Sequence, residues 1–308
     1  MSFSPRNFGR EVLNMKVMWI GHGGLLFISG RHKVLIDPYL SDSLRLVNRI
    51  FKRRMRIKHR LFFTKPDVTV ITSSHPDRCD LKTIKRLARG RFGYTPTILA
   101  CEKAFRTASE SWGLKRANLT MFEKGLEWSL GDMTIKAVDA KTDDRSAFGL
   151  IITDTETSKK YYVASNTLYS EELIASLPTD LYAAFIPISG TFGSMNVLDA
   201  ARFARELNAQ YTVPVQFGTL DKTKADAFIS GGRILPKIYK IMDFDDESGV
   251  SLSNDGLDFF FNEKAKKSAK AGEAIELDEA STMTVDMPHI DRAAALTASS
   301  LGNDGKII

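Results

Sequence analysis

The sequence predicts an α+β domain in which two β-sheets pack face to face with helices outside. Three observations predict it. Short β-type runs separated by glycine-bearing turns fill the first part of the chain. Strand meanders then alternate with single helices in two successive halves, with no visible repeat. Finally, 308 residues with 43% hydrophobic content suffice for one large core. A doubly wound parallel sheet would need stricter strand–helix alternation than the N-terminal meander allows.

Taken in order, residues 16–20, 24–28 and 33–36 read as consecutive antiparallel strands. Residues 67–72 read as a buried strand, followed by a polar loop and a helix that opens at Asp80, a capping residue type. Residues 97–100 and 102–112 repeat the strand-then-helix pattern. Strands are expected at 126–129, 133–138, 150–153, 160–164, 181–188 and 211–215, with an amphipathic helix over 197–207. The domain is placed at 11–262, its last strand ending on Phe259 to Phe261. Residues 263–308, rich in Ala, Ser, Lys, Glu and Asp, read as a tail too polar to offset its ordering entropy.

Composition narrows the function. No apolar run reaches the roughly 18 residues of a spanning helix, and the first ten residues lack the apolar stretch of a secretory signal. Two cysteines, Cys79 and Cys101, are too few for a disulfide framework, so a reducing cytoplasm is expected. The net charge is +6. Its densest source is a basic insertion over 44–63, with Arg45, Arg49, Lys52, Arg53 and Arg56 among its cations. There Leu44, Val47, Ile50, Phe51 and Met55 recur at helical spacing. Two readings stay open: a basic amphipathic segment that touches an anionic membrane surface, or a solvated insertion whose apolar stripe packs on the domain. Nucleic acid is the weaker partner, because no nucleic-acid-binding signature accompanies the block.

Chemistry is sought in the loops after buried strands. These carry Ser73-Ser-His75-Pro-Asp77-Arg78-Cys79-Asp80, then Asp139, then Ser165-Asn166-Thr167, then Gln216-Phe-Gly-Thr219. His22 lies in a Gly-His-Gly-Gly turn and either points to the cleft mouth or bonds the turn backbone. Asp37, before Pro38, ends a strand and can reach the cleft floor. His75 is either a metal ligand or a loop residue bonded to backbone. Ser165 and Ser189 have no evident His/Asp pair, which speaks against a serine nucleophile.

With Trp19-Ile-Gly-His22-Gly, Val34-Leu-Ile-Asp37-Pro38, the 72–80 loop, Ile186-Pro-Ile-Ser-Gly190 and Val213-Pro-Val-Gln-Phe-Gly-Thr219, the chain resembles the metallo-β-lactamase fold superfamily. Its nearest branch looks like that of L-ascorbate-6-phosphate lactonase and N-acyl-phosphatidylethanolamine phospholipase D. The resemblance implies a four-layer αββα sandwich of two mixed sheets. It also implies a dinuclear centre on Thr-His-x-His-x-Asp-His and later ligands. In that register the histidines fall on Ser73, His75 and Arg78, and the aspartate on Asp77. A further histidine falls on Asp139, the bridging aspartate on Asn166 and the final histidine on Gln216. Only His75 and Asp77 match.

Ser73, Asn166 and Gln216 are neutral, and Arg78 stays protonated with no lone pair to offer. The expectation is therefore a degenerate centre with no cofactor, Arg78 standing in for metal charge and pairing with Asp77 and Asp139. Its cleft, lined by His22, Asp37, His75, Asp77, Arg78, Asp139, Asn166 and Gln216, would bind a small phosphorylated anion. The alternatives are a hydrolase of a phosphoester or lactone with one zinc or manganese ion on His75, Asp77 and Asp139, or a protein that docks to membranes through the basic segment.

Overall fold

The computed structural model describes residues 15–88, 95–111, 114, 117–245 and 249–252. The expected tail, the run Phe259 to Phe261 and the outer limits of the predicted domain lie outside them.

The chain runs β1 (Lys16–Gly21), β2 (Gly24–Ser29), β3 (His32–Ile36), α1 (Leu44–Val47), β4 (Val68–Ile71), α2 (Leu81–Ala88), β5 (Thr97–Ala100), α3 (Glu102–Ser109) and β6 (Asn118–Met121). It continues with β7 (Glu127–Leu130), β8 (Met133–Val138), β9 (Gly149–Asp154), β10 (Lys160–Val163), α4 (Glu171–Ser176), β11 (Leu181–Pro187), α5 (Val197–Leu207), β12 (Tyr211–Val215), β13 (Ile241–Asp245) and β14 (Gly249–Leu252). Two mixed sheets result. One has the order β14-β13-β1-β2-β3-β4-β5-β6, the other β12-β11-β10-β9-β8-β7.

In the first sheet the N-terminal meander is antiparallel, and β3 to β6 are parallel. In the second, β7 to β10 are antiparallel, and β10 to β12 are parallel. The inner faces meet in one core, where the Phe27 ring packs against Tyr161 and Phe185 at 6.0 and 5.5 Å.

Strand alternation sorts the side chains between layers. Val17 and Trp19 enter the core between the sheets, while Met18 and Ile20 join Leu26, Leu35 and Leu87 of α2 on the outer face. The outer face of the second sheet is covered by α5 and α4, through Phe203, Ala204 and Leu173. Asn196 caps α5 by accepting from the N–H groups of Leu198 and Asp199.

The basic insertion departs from the helical expectation. Only Leu44–Val47 is α-helical, because Asn48 turns extended (φ −149°, ψ 126°) and a short 3-10 turn, Arg49–Phe51, follows. Beyond it the chain is a strap. Phe51, Arg53, Met55 and Ile57 are half-buried, while Lys52, Arg54, Arg56 and Lys58 are exposed. The apolar spacing that suggested one helix face is split: Leu44 is buried, and Val47 and Ile50 face solvent.

Among the described residues no helix is long and apolar enough to cross a membrane.

Candidate functional site

The loops that end β1, β3, β4, β10 and β12 converge on one edge of the sandwich, and the backbone there is strained. His22, Asp37, Ser165 and Gln216 all take positive φ, at 51°, 43°, 53° and 62°. This conformation costs a non-glycine residue about 1–2 kcal/mol, so its clustering marks a site whose side chains are held in place by surrounding bonds.

Arg78 sits at the centre, 1% exposed. Its Nε donates to Asn166 Oδ1 at 2.9 Å, and its Nη1 donates to Asp37 Oδ2 at 3.0 Å and to the Gly23 carbonyl at 3.3 Å. Asp77 Oδ2 lies 3.7 Å from Nε. Gly23 is required: a Cβ there would fall 1.9 Å from Nη1.

Asp37 is held from the other side by the Thr72 amide and hydroxyl, at 2.8 and 2.6 Å, and Thr72 also meets Ser165. Asp77 Oδ2 accepts from Gln216 Nε2 at 2.9 Å and lies 3.0 Å from His22 Nε2. Gln216 Nε2 also reaches Asn166 Oδ1 at 2.9 Å. The other nitrogen of His22 faces Thr219 Oγ1, and its carbonyl accepts from the Trp19 indole and the Gln216 amide. The His22 ring lies in neither expected place, at a cleft mouth or on the turn backbone: it is buried between Asp77 and Thr219, and only its carbonyl holds the turn.

The structure thus brings together His22, Asp37, Asp77, Arg78, Asn166 and Gln216, each no more than 1% exposed. They form a closed polar core and do not line an open cleft. Two expected members lie elsewhere. Asp139 is exposed and pairs with Lys124 at 2.8 Å, so the partner of Arg78 expected at Asp139 is Asp37 instead. The physical reason is that Asp37 reaches the guanidinium from the end of β3, while Asp139 ends β8 on the surface. His75 lies at the rim, with Nδ1 2.9 Å from Ser73 Oγ and Nε2 3.0 Å from Asp143.

Asp80 does not extend the site. It accepts from the Ser41 amide and the Thr83 hydroxyl, joining the post-β3 loop to α2. Burial pushes the Cys79 thiol up to about 12, so it is protonated at neutral pH. Thr72, Thr219 and Asp144 were missed by sequence reasoning. Asp144 accepts from the Ser74 amide at 2.8 Å and from Ser73 and Ser146, fixing the loop that carries His75. Nothing local in Lys141-Thr142-Asp143-Asp144-Arg145-Ser146 signalled this, because Ser73 and Ser74 are far from Asp144 in the chain.

Burial lowers the His22 imidazole below its ordinary value, against the pull of Asp77. Burial also works against an ionised Asp77, but the hydrogen bond and charge of His22 and the charge of Arg78 outweigh it and lower its pKa. Both groups contribute stability that is full above their unfolded values and is lost on acidification, His22 below about pH 6.5 and Asp77 below about 3.8. Asp37 has the opposite sign: burial pushes it up against Arg78 and Thr72, so it offsets part of the acid loss. The expected result is a melting temperature that falls from about pH 6.5 to about pH 5, with a shallower slope in His22→Asn. Equal slopes in thermal melts of the two proteins would disprove the assignment.

The chain is thus a sandwich of two mixed sheets with polar loops gathered at one edge. Residues 32–217 match the family model described as the beta-lactamase superfamily domain, and the chain belongs to that family. It is 26% identical over 215 residues to a UPF0173 metal-dependent hydrolase of Pyrobaculum islandicum, covering 69% of this chain and 88% of the relative. It is 25% identical over 221 residues to one of Hyperthermus butylicus, covering 68% and 86%. The crystal structure of the metallo-beta-lactamase fold protein YhfI from Bacillus subtilis superposes with a TM-score of 0.57 at 18% identity, over 74% of this chain and 98% of that one.

The expectation that no cofactor takes part is corrected by these matches, since the sequence relatives are named as metal-dependent hydrolases. The donors in this chain, however, do not fit a two-ion centre. The oxygens of Asp37, Asp77 and Asn166 are engaged by a guanidinium that cannot be deprotonated, and a dication among them would be repelled by it. Among the described residues no group of three or more His, Cys, Asp or Glu is arranged to hold a metal ion.

Proposed function

We propose that this chain is a binding member of its superfamily, which takes an anionic, phosphorylated ligand at a basic groove over the polar core and does not hydrolyse it. The observation that carries this reading is the place of Arg78, whose guanidinium binds the oxygens on which a hydrolytic centre would depend. A buried cation already paired with two carboxylates leaves no room for an activated water among them.

The ligand side rests on the rim. A groove is lined by Arg49, Ile50, Lys52, Arg53, Arg54, Asp221 and Lys222, a strongly cationic set. Arg54 donates its amide to the Thr219 carbonyl at 2.8 Å, so the groove is tied to the loop that carries Gln216. A phosphate monoester suits such a groove, because Arg49, Lys52, Arg54 and Lys222 can each donate to its oxygens. Two free cysteines suit a reducing cytoplasm.

The names of the relatives favour a second reading, metal-dependent hydrolysis, for which the substrate would be a phosphoester or lactone and the site a rearranged one with a single ion. It would need His75, Asp77 and Asp139 together, whereas Asp77 is turned to His22 and Asp139 to Lys124.

Titration with p-nitrophenyl phosphate tests both, since the probe reports binding by heat and hydrolysis by colour. The expected result is binding that weakens as salt rises and in Arg49→Glu/Arg54→Glu, with no colour released in the presence of zinc or manganese. Colour release that His75→Ala abolishes would establish the second reading, and absence of binding would end the first.

A further inference from the structure

Between Ser43 and Pro66 the chain holds nine Lys and Arg residues and no Asp or Glu. Several contacts hold this segment against the fold, among them the Arg54 amide donating to the Thr219 carbonyl. Phe51 packs on Phe192 with ring centroids 4.8 Å apart. Arg53 turns inward and donates to the Ser41 carbonyl from Nε and Nη2, at 3.0 and 2.6 Å. The Tyr239 hydroxyl donates to the Arg56 carbonyl at 2.8 Å. Along the strap the alternate residues Lys52, Arg54, Arg56 and Lys58 are exposed, while Arg53, Met55 and Ile57 between them are half-buried.

Beside this row are three apolar side chains that the fold leaves in water. Leu46, Val47 and Ile50 are 73%, 81% and 69% exposed. Leu46 and Val47 line a second groove together with Arg45, Arg49 and Lys52, so apolar and cationic groups share one surface. Three aliphatic residues exposed within five positions are unfavourable in water and need a cover.

We infer that this surface docks the protein on an anionic lipid bilayer, with Leu46, Val47 and Ile50 entering the interface and the cationic row meeting lipid phosphates. Charge complementarity selects an anionic occupant, and the aliphatic triad selects a bilayer among anionic ones. A single-stranded nucleic acid would instead need a row of aromatic rings among the cations for base stacking; beside Leu46, Val47 and Ile50 the ring of Phe51 is turned in against Phe192, and the exposed ring of Phe63 lies further along the chain than the cationic row. Aliphatic side chains gain by leaving water for the acyl boundary, while each nearby cation gains from the negative surface potential. The inference rests on the anion-binding reading of the basic groove, and it names the lipid headgroup as the source of the phosphate.

Sedimentation of the full chain with vesicles tests it, comparing phosphatidylcholine alone with phosphatidylcholine containing phosphatidylglycerol. The expected result is binding to the second kind only, falling at least about tenfold between about 0.05 and 0.5 M salt. Leu46→Ser/Val47→Ser/Ile50→Ser is expected to lower the partition about tenfold or more with an unchanged melting temperature, because all three side chains are exposed. Lys52→Glu/Arg54→Glu is expected to lower it comparably.

If p-nitrophenyl phosphate binds but anionic vesicles do not, the inference falls while the proposed function stands. If neither binds, both fall. Vesicle binding indifferent to the serine triple variant, or displaced by a single-stranded oligonucleotide that binds that variant equally well, would also overturn the inference.

Discussion

Arg78→Ala is expected to destabilise the protein by about 3–5 kcal/mol, because it leaves Asp37 and Asp77 buried without their cation. In a domain of this size that loss lowers the melting temperature by roughly 10 °C. The size of the effect follows from burial. A guanidinium on the surface would lose little, but here both carboxylates are fully buried and Arg78 is 1% exposed. The companion Arg78→Met/Asp37→Asn/Asp77→Asn removes all three charges and is expected to recover much of the loss. Gly23→Ala should reach the same defect from the other side, by driving a methyl group into the guanidinium. Calorimetry of the three variants provides the check: an Arg78→Ala melting within about 2 °C of the parent would mean that the network contributes little.

The second large effect is a gain. Ser73→His/Arg78→His/Asn166→Asp/Gln216→His puts donors into loops that already present His75 and Asp77. Zinc or manganese affinity is expected to rise by more than about 100-fold over the unaltered chain. The reason is electrostatic as much as geometric, since a protonated guanidinium leaves the carboxylates and three imidazoles and a further carboxylate arrive. Competition with a chromogenic chelator measures the change. Metal should also raise the melting temperature of this variant more than that of the parent, which keeps the test informative if the metal-free variant is poorly stable. A well-folded variant with unchanged affinity would show that these four positions do not face one another as donors.

Part of the fold was legible because burial imposes periods on a sequence. The runs 16–36 and 133–163 alternate or stay apolar as strands of a two-sheet sandwich must, and α5 occupies the predicted 197–207. Edge elements carry less of that signal. β6 is short and mostly exposed, and only Leu119 of it packs on the core, so Asn118–Met121 carried too brief an apolar signal to announce a strand. The segment after Leu44 misled for a different reason: apolar residues three and four apart also fit a single helical turn, a 3-10 turn and a strap that alternates in and out.

The site divides in the same way. That His75, Asp77, Arg78, Asn166 and Gln216 belong to strand-end loops of one fold could be read from motif order, and so could the replacement of imidazoles by neutral or cationic groups. Asp37 and Asp139 show the limit. Both are carboxylates that follow a strand, and nothing local distinguishes them, yet one is buried against Arg78 and the other is exposed against Lys124.

The amino-acid order by itself thus determined the two-sheet fold and the presence of a positive charge among its strand-end loops, because periodicity and residue chemistry are local properties, and the order of its motifs carried the resemblance to the superfamily. Only the tertiary structure decided that this charge is sealed in a closed network with Asp37, Asp77 and Asn166, and that Leu46, Val47 and Ile50 face water beside a row of cations. Which carboxylate meets a guanidinium, and which face of a segment is left uncovered, depends on strands and loops that are distant in the chain and meet only when the two sheets pack.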